Sequence, residues 1–268
     1  HQSAANYLKR ISIMLNRQNN RKRIVNFAAV LLALLFWQIV AMILNRSFLL
    51  SSPVEVVKAL FELGGKNVFW MGLGKSIFKI ILGFLAGGGV GIFLAGLSYR
   101  FKLFEIYISP YIMVIRSVPV ASFVIIILIW LGSEALSVLV CFFMVMPIFY
   151  ANTLEGLKSV DVKMLQMAKI YELGQKAKFI YIYLPGLESF LISSSVASMG
   201  IAFKSGIAAE VIGRPKNTLG FFLFDAKIYL ETSKVFAITL IVILCSAIFE
   251  RLIIFIMERF FGLIKRVY

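Results

Sequence analysis

Histidine, cysteine and acidic residues are scarce in this sequence, and their scarcity excludes most kinds of catalytic site. One histidine, two cysteines and 13 acidic residues are spread over 268 positions. They form no cluster with metal-ligand spacing, and no histidine stands with a nucleophile and an acid as a catalytic triad requires. A phosphate-binding Gly-x4-Gly-Lys-Ser/Thr loop is also missing. We therefore expect no enzymatic activity, metal or cofactor in this chain.

Charged residues of any kind are few, which argues against a soluble domain. Only 15% of the residues are charged, whereas 60% are hydrophobic, too apolar a balance for an ordinary globular surface. The apolar runs reach roughly 20 residues, the length that crosses a bilayer as a helix. Cys141 and Cys245 both lie inside such runs, where a buried thiol is expected rather than a disulfide. The fold class expected is an all-α integral membrane protein.

The positive charge is explained by membrane topology. A net charge of +15 would suit a nucleic-acid partner, but the basic residues cluster beside the apolar runs, as cytoplasmic flanks of membrane helices do. We therefore expect the lipid bilayer, and no nucleic acid, as a partner. Residues 1–23 are basic and predict a cytoplasmic N-terminal segment, either a short helix on the membrane surface or a loosely ordered tail.

Residues 24–268 predict a transmembrane domain of six helices with both termini in the cytoplasm. The spans cover about residues 24–44, 77–97, 106–131, 135–150, 185–209 and 234–257. Glycines at positions 83, 87 and 91 leave one face of the second span bare, so that another helix can approach closely. Pro110 and Pro119 predict a broken or kinked third span.

Three segments outside the spans carry their own signals. Ser52-Pro53 followed by an apolar pattern predicts a capped amphipathic helix, outside the membrane or at its surface. Residues 132–134 predict a tight external turn. Residues 213–215 predict a second turn before a short helix over about residues 219–229.

A polar segment at about residues 155–184 separates the fourth and fifth spans. Asp161 predicts a helix start, Gly174 a helix stop, and Lys176 begins a second helix that Pro185 should close. Two short helices with an apolar stripe at a membrane surface offer a projection that another protein can grip. The same pattern also suits an amphipathic hairpin lying on lipid.

This segment resembles the EAA signature of permease subunits of bacterial ABC importers. The signature reads Glu-Ala-Ala, three residues, Gly, nine residues and Ile-x-Leu-Pro. Ile182, Leu184, Pro185 and Ala168 match it, whereas Gln166, Met167 and Glu172 stand on altered positions and Gly174 follows two places late. Two further blocks, residues 116–121 and 203–213, resemble the nitrate/sulfonate/taurine branch of this family.

The resemblance implies a type I (MetI-like) ABC importer in the bacterial cytoplasmic membrane. Its partners would be two ATPase subunits that bind ATP and Mg, a second copy of the permease and an extracytoplasmic solute-binding protein. The loop would dock on the ATPase, and transport would proceed by alternating access. The implied coupling residues are Gln166, Met167, Ala168, Tyr171, Glu172, Gly174, Leu184 and Pro185.

For the translocation path of a small anionic or polar solute, we predict a set of polar residues and one proline in spans three and five. They are Arg116, Ser117, Pro119, Ser194, Ser198, Lys204 and Glu210. Charges at such depth face a polar interior or reach an interface. Arg116 alternatively snorkels to the interface. Arg116 and Lys204 alternatively pair with carboxylates such as Glu134 or Glu210, and the neighbouring Glu210 favours such a pair for Lys204.

Two other classes of protein compete with the importer subunit. A secondary transporter or channel would work without ATP, but such folds often contain internal repeats, and residues 24–150 and 151–260 show none. A membrane scaffold without transport activity is the third possibility. It predicts that solute and binding protein leave the ATPase rate unchanged.

Overall fold

A computed structural model describes residue 25, residues 28–44 and residues 49–266, the last three as backbone only. The predicted basic segment 1–23 lies outside these residues. Within the described part of the chain, every regular element is a helix. The helices are α1 (Ala28–Leu44), α2 (Pro53–Gly64), α3 (Asn67–Arg100), α4 (Lys102–Ser117), α5 (Val120–Leu131), α6 (Leu136–Lys158), α7 (Val162–Ile170), α8 (Gln175–Lys178), a π-helical turn (Phe179–Tyr183), α9 (Leu184–Gly213), α10 (Leu219–Ile228) and α11 (Thr232–Arg266).

Four described helices are long and apolar enough to cross a membrane, and the bent pair α4–α5 makes a fifth span if it counts as one. The four are α3, α6, α11 and the helix that runs through α8 and α9. α1 is described over a shorter apolar stretch. The all-helical class and the membrane character are therefore confirmed.

The short helices begin at the residues that the sequence indicated. Ser52 and Glu55 form a reciprocal capping box before α2, with the Glu55 amide donating to Ser52 Oγ at 3.3 Å. The Asp161 carboxylate accepts from the Lys163 amide at 2.8 Å and starts α7. Each cap satisfies a first-turn amide that the helix itself leaves without a partner. The predicted α10 is also present.

The glycine face of α3 packs directly on the backbone of α6. A methyl group placed on Gly87 would lie 2.8 Å from the carbonyl oxygen of Phe142, and one on Gly91 would lie 2.6 Å from that of Met146. Gly83 is equally crowded by the Val138 carbonyl. The prediction of a close helix approach is confirmed, and α6 is the partner helix. We call this row of contacts the glycine seam.

The third predicted span is broken, as its prolines suggested. α4 and α5 meet at 99°, with Val118 and Pro119 in extended conformation between them. Pro119 supplies the break because it lacks an amide hydrogen and disfavours helical geometry in the residue before it. Pro110 lies inside α4 and does not end it.

The prediction that Pro185 closes a helix is wrong. The chain runs as one long helix from Gln175 to Gly213. The segment before Pro185 widens into a π-helical turn, in which the Leu184 amide donates to the Phe179 carbonyl. A π turn relieves the clash between a proline ring and the preceding turn. α6 likewise continues past the predicted end at Tyr150 to Lys158, because Thr153, Leu154 and Leu157 keep its inner face buried.

α9 defines the two ends of the bundle. Its first residue follows α7, α8 and the π turn, and its last residue precedes α10. We name these the α7 end and the α10 end. The main core lies between them and is built from α2, α3, α6, α9 and α11, with Ile80, Phe84, Val145, Met199 and Phe203 among its buried side chains.

Candidate functional site

No helix among the described residues covers one largely apolar face of α7. At 100° per residue, the exposed side chains of α7 share one broad arc, which also includes Lys163, Gln166 and Lys169. The apolar members are Val162, Met164, Met167, Ile170 and Tyr171, which are 54–77% exposed. Ala168 points the opposite way and is buried. We call this arc the α7 face.

The other predicted coupling residues shape the chain on either side of the α7 face. Glu172 adopts a positive φ of 52°, which allows the Leu173 amide to donate back to the Ala168 carbonyl at 2.9 Å. Gly174 is the cap before α8. Leu184 and Pro185 are half-buried at the start of α9. The segment is therefore folded and joined directly to a membrane helix.

Arg116, Ser117 and Pro119 lie together at the elbow between α4 and α5, and all three are exposed in the single chain. The neighbouring Ile115 packs on a cluster that contains Met146, and Met146 lies against Gly91. Gly91 is nine residues from the end of α3 at Arg100, or roughly 14 Å along the helix. The elbow thus packs beside the half of α3 that is nearer Arg100.

Lys204 is exposed on α9, six residues before Glu210, or roughly 9 Å deeper along the helix. Among the described residues neither Lys204 nor Arg116 forms an ion pair. The alternative that either of them pairs with Glu134 or Glu210 is wrong, because both carboxylates have other partners. Arg116 and Lys204 are therefore two cations between the ends of the bundle that have no ion-pair partner in the described part of the chain.

Ser194 and Ser198 are completely buried. The hydroxyl of Ser194 donates to the Phe190 carbonyl at 2.6 Å, and that of Ser198 donates to the Ser194 carbonyl at 2.5 Å. Serine commonly satisfies its hydroxyl within a helix in this way. In this arrangement of the chain, both side chains belong to the helix packing and are separated from the exposed elbow.

Glu210 is fully buried and joins four helices at the α10 end. Its carboxylate accepts from Ser76 Oγ at 2.6 Å on α3, from Ser137 Oγ at 3.0 Å on α6 and from the Gly220 amide at 3.1 Å on α10. Gly220 has no space for a side chain, because an added methyl group would collide with the backbone of Glu210. We call these contacts the Glu210 network.

The Glu210 network also caps α10. Its first three amides are satisfied by side chains: Leu219 donates to Ser76 Oγ at 2.8 Å, Gly220 to Glu210, and Phe221 to Thr218 Oγ1 at 3.3 Å. A carboxylate at a helix N-terminus also interacts favourably with the helix dipole. The position of α10 is therefore fixed by residues from α3 and α9 together with its own cap.

A second polar cluster ties two turns at the α10 end to α3. Glu134, in the turn between α5 and α6, lies 2.7 Å from Lys79 Nζ and 3.0 Å from Lys75 Nζ. Lys75 also donates to the Lys216 carbonyl at 3.0 Å. The hydrogen bond from Lys79 holds the pKa of Glu134 below its usual value, and the bond from Lys75 acts in the same direction.

Sequence reasoning did not identify Ser76, Lys79, Ser137 and Gly220 as partners of these carboxylates. A signal was present for Lys79, since a lysine inside an apolar span needs a partner or a route to water. Ser137 and Gly220 carry no such signal, because serine and glycine are ordinary residues in membrane helices.

Comparison with known proteins identifies the family. The family model described as "Binding-protein-dependent transport system inner membrane component" matches residues 87–261. The chain belongs to this family. The match begins in the glycine seam and ends in α11, so it includes the elbow, the α7 face and the whole Glu210 network except Ser76. The chain is thus a membrane permease component of a transport system.

Several relatives described as permeases are similar over most of their length. SsuC of Bacillus subtilis (strain 168), described as an aliphatic sulfonates transport permease protein, is 28% identical over 78% of this chain and 75% of its own. The taurine transport system permease protein TauC of Escherichia coli (strain K12) is 26% identical over 78% of each chain. The nitrate import permease protein NrtB of Synechococcus elongatus is 24% identical over 72% of each chain.

A solved structure has the same fold. The crystal structure of an amino acid ABC transporter with histidines aligns with a TM-score of 0.52 and 19% sequence identity, over 75% of this chain and 94% of that chain. At this identity the likeness shows the fold alone. The resemblance to an ABC-importer permease of the nitrate/sulfonate/taurine branch is confirmed by the family and its relatives.

Proposed function

We propose that this chain forms the membrane path of an ATP-driven importer for a small anionic or polar solute. The solute belongs to the sulfonate, nitrate or taurine class and is delivered by an external binding protein. Two copies of the chain form the path in a bacterial cytoplasmic membrane, each with six spans and both termini in the cytoplasm. Two ATPase subunits bind ATP and Mg and dock on residues 161–184. The α7 end is then cytoplasmic and the α10 end external.

The observation that carries this proposal is the α7 face. It stands at one end of the bundle, it is apolar, and no helix of the described chain covers it. A short helix with exposed apolar side chains fits into a groove of another protein as an amphipathic helix does. Gln166 lies on the same face and adds a polar group that a groove can recognise. The names of the relatives also support a role in transport, since they describe transport or import permeases.

The long helix supplies the mechanical link. α8, the π-helical turn and α9 run as one helix from Gln175, which follows the α7 face after a three-residue turn, to the Glu210 network. A displacement of the α7 face by an ATPase therefore reaches the external end as a movement of one helix. Such rigid-body motion is the general form of alternating access.

Docking of the ATPase is tested with a matched pair of tyrosines. Tyr171 on the α7 face and Tyr229 at the α10 end are 73% and 74% exposed. We expect Tyr171→Arg to abolish co-purification of an ATPase that carries a phosphate-binding loop, and Tyr229→Arg to leave it intact. Retained co-purification in Tyr171→Arg, and in Gln166→Arg beside it, contradicts docking at this face.

The preference for an anion rests on Arg116 and Lys204. A cation that lies between the ends of the bundle without a carboxylate partner faces a water-filled cavity or a polar interface, and there it attracts anions. The elbow formed by Arg116, Ser117 and Pro119 is a broken helix, the feature that lines solute paths in many transporters. Ser194, Ser198 and Glu210 support this path from within the helix packing.

Uptake into proteoliposomes tests the assignment of the path. Arg116→Gln and Lys204→Gln remove one charge each while keeping long polar side chains. We expect both to slow uptake of sulfonate, nitrate or taurine, whichever the parent complex transports, with the ATPase still bound. Unchanged uptake in both variants excludes a role for these cations in selecting the solute.

A further inference from the structure

Helix α2 has two apolar stripes on opposite sides, and the described residues cover only one of them. The covered stripe consists of Val56, Ala59 and Leu63, which are 1–7% exposed. The second stripe consists of Val54, Val57 and Phe61, which are 56%, 49% and 79% exposed. At 100° per residue, these two sets lie about half a turn apart. We call the second set the outer stripe of α2.

α2 lies at the ends of two helices that are long enough to cross a membrane. Its last residue, Gly64, is separated by a two-residue turn from Asn67, the first residue of the spanning helix α3. Glu62 lies 3.5 Å from Lys234 in the first turn of the spanning helix α11. α2 therefore rests across the ends of two membrane spans, at the α10 end.

The outer stripe continues into the apolar surface of α3. The Trp70 indole donates to the Gly64 carbonyl at 2.8 Å and so joins the last turn of α2 to the first turn of α3. Beyond it, Met71 and Phe78 are 71% and 67% exposed. Tryptophan with a satisfied N–H and an exposed ring is typical of the boundary between water and lipid.

The charges of α2 favour a phospholipid over a protein as the occupant. Lys58 lies in the same arc as Val54 and Phe61, and a lysine stem can cover apolar surface while its ammonium group reaches phosphate. Glu55 and Glu62 lie to one side and line a polar groove of about 390 Å³, which Lys58 also lines. Lys58 thus lies at the edge of the outer stripe, between its apolar side chains and the carboxylates.

We propose that the outer stripe of α2 is a lipid-binding surface that lies in the headgroup region of the adjacent leaflet. Val54, Val57 and Phe61 enter the boundary between headgroups and acyl chains, as an interfacial amphipathic helix does. The covered stripe of α2 packs against α11 at the same time. α2 thereby links the ends of α3 and α11 to the membrane surface. This surface is separate from the path and from the α7 face.

Spin labels test this placement in the full chain, reconstituted in nanodiscs of phosphatidylcholine and phosphatidylglycerol. Single cysteines replace Val54, Val57, Phe61 and, as a water-facing control, Glu62, in a background with Cys141→Ala and Cys245→Ala. We expect oxygen to reach the first three labels several times more readily than a water-soluble nickel chelate. The order should reverse at position 62.

Two other outcomes overturn the proposal. Equal access of the nickel chelate to all four labels means that the outer stripe faces water. Low access of both reagents at positions 54, 57 and 61 means that protein covers it, and then a second copy of the chain is the occupant.

A second measurement avoids changes in α2. With Trp37→Phe and Trp130→Phe, the remaining Trp70 fluorescence should be quenched by phospholipid brominated near the headgroup and little affected by iodide. The reverse pattern contradicts the placement of α2 in the leaflet.

Discussion

Replacing Glu210 by alanine should detach α10 from the bundle without unfolding the membrane helices. The change removes the acceptor of three hydrogen bonds, from Ser76, Ser137 and the Gly220 amide. The two serines can rotate toward their own helix backbone, but the Gly220 amide is left buried without a partner. A buried amide without a partner costs up to about 3 kcal/mol, equivalent to roughly a 150-fold change in an opening equilibrium.

Hydrogen exchange of peptides that cover residues 216–228 measures this opening directly. The reconstituted full chain should exchange the first amides of α10 roughly 150-fold faster in Glu210→Ala than in the parent protein, whereas peptides from the glycine seam should not change. The control is Glu210→Gln. Its carbonyl can accept from Ser76 and Gly220, and its amide can donate to Ser137 Oγ, so we expect nearly parental exchange.

Either of two results refutes the reasoning. If Glu210→Ala leaves exchange in α10 unchanged, the Glu210 network does not hold that helix. If Glu210→Gln is as disruptive as Glu210→Ala, the negative charge matters and the count of hydrogen bonds is not the cause. A uniform increase over all peptides would mean global destabilisation and would also contradict a local role.

Three further predictions concern other contacts. Gly91→Ala should lower the free energy of unfolding by about 1–3 kcal/mol through overpacking in the glycine seam. Gly89→Ala should change it little, because its added methyl group meets nothing within 4 Å. Chemical unfolding in detergent measures both variants, and equal effects would contradict close packing at the glycine seam. Because the pKa of Glu134 is lowered from 4.5 in the folded chain, its ion pairs are present above that value and are lost as the pH falls through the lowered pKa. A spin label in the turn should gain mobility at acidic pH, and Glu134→Gln should abolish this pH dependence. Pro185→Ala should convert the π turn to regular helix and rotate the residues before it, which double electron–electron resonance detects as a changed distance between labels on α7 and α3; an unchanged distance shows that the proline does not maintain the turn.

Local features of the fold could be predicted because their signals lie within a few residues of one another. The helix starts at Ser52 and Asp161 were predicted correctly, because a capping side chain and the amide that it satisfies are close in sequence. Pro119 marked the break for the same reason. Pro185 carried the same local signal and misled, because a π turn can accommodate a proline that an α turn cannot.

The Glu210 network could not be predicted, because its members are distant in sequence. Glu210 and Ser76 are 134 positions apart, and Glu210 and Ser137 are 73 apart. A buried carboxylate must find donors, but several serines were available, and only the packing of α3, α6 and α9 selects among them. For the α7 face, helical spacing predicted a helix with an apolar stripe. The structure was needed to show which apolar side chains are exposed, because Ala168 of the predicted stripe is buried, whereas Val162 and Ile170 outside it are exposed.

The glycine seam restricts where this permease can deform. Because backbone touches backbone along Gly83, Gly87 and Gly91, α3 and α6 cannot slide past each other without collision or separate without leaving a void. We therefore expect the pair to move as one rigid unit. Side chains that can change rotamer fill other contacts, as between α9 and α11, where the Ser195 hydroxyl donates to the Met257 thioether at 3.1 Å. A methionine at such a contact can adjust its shape as the helices shift, so we expect relative motion between α9 and α11 and little between α3 and α6.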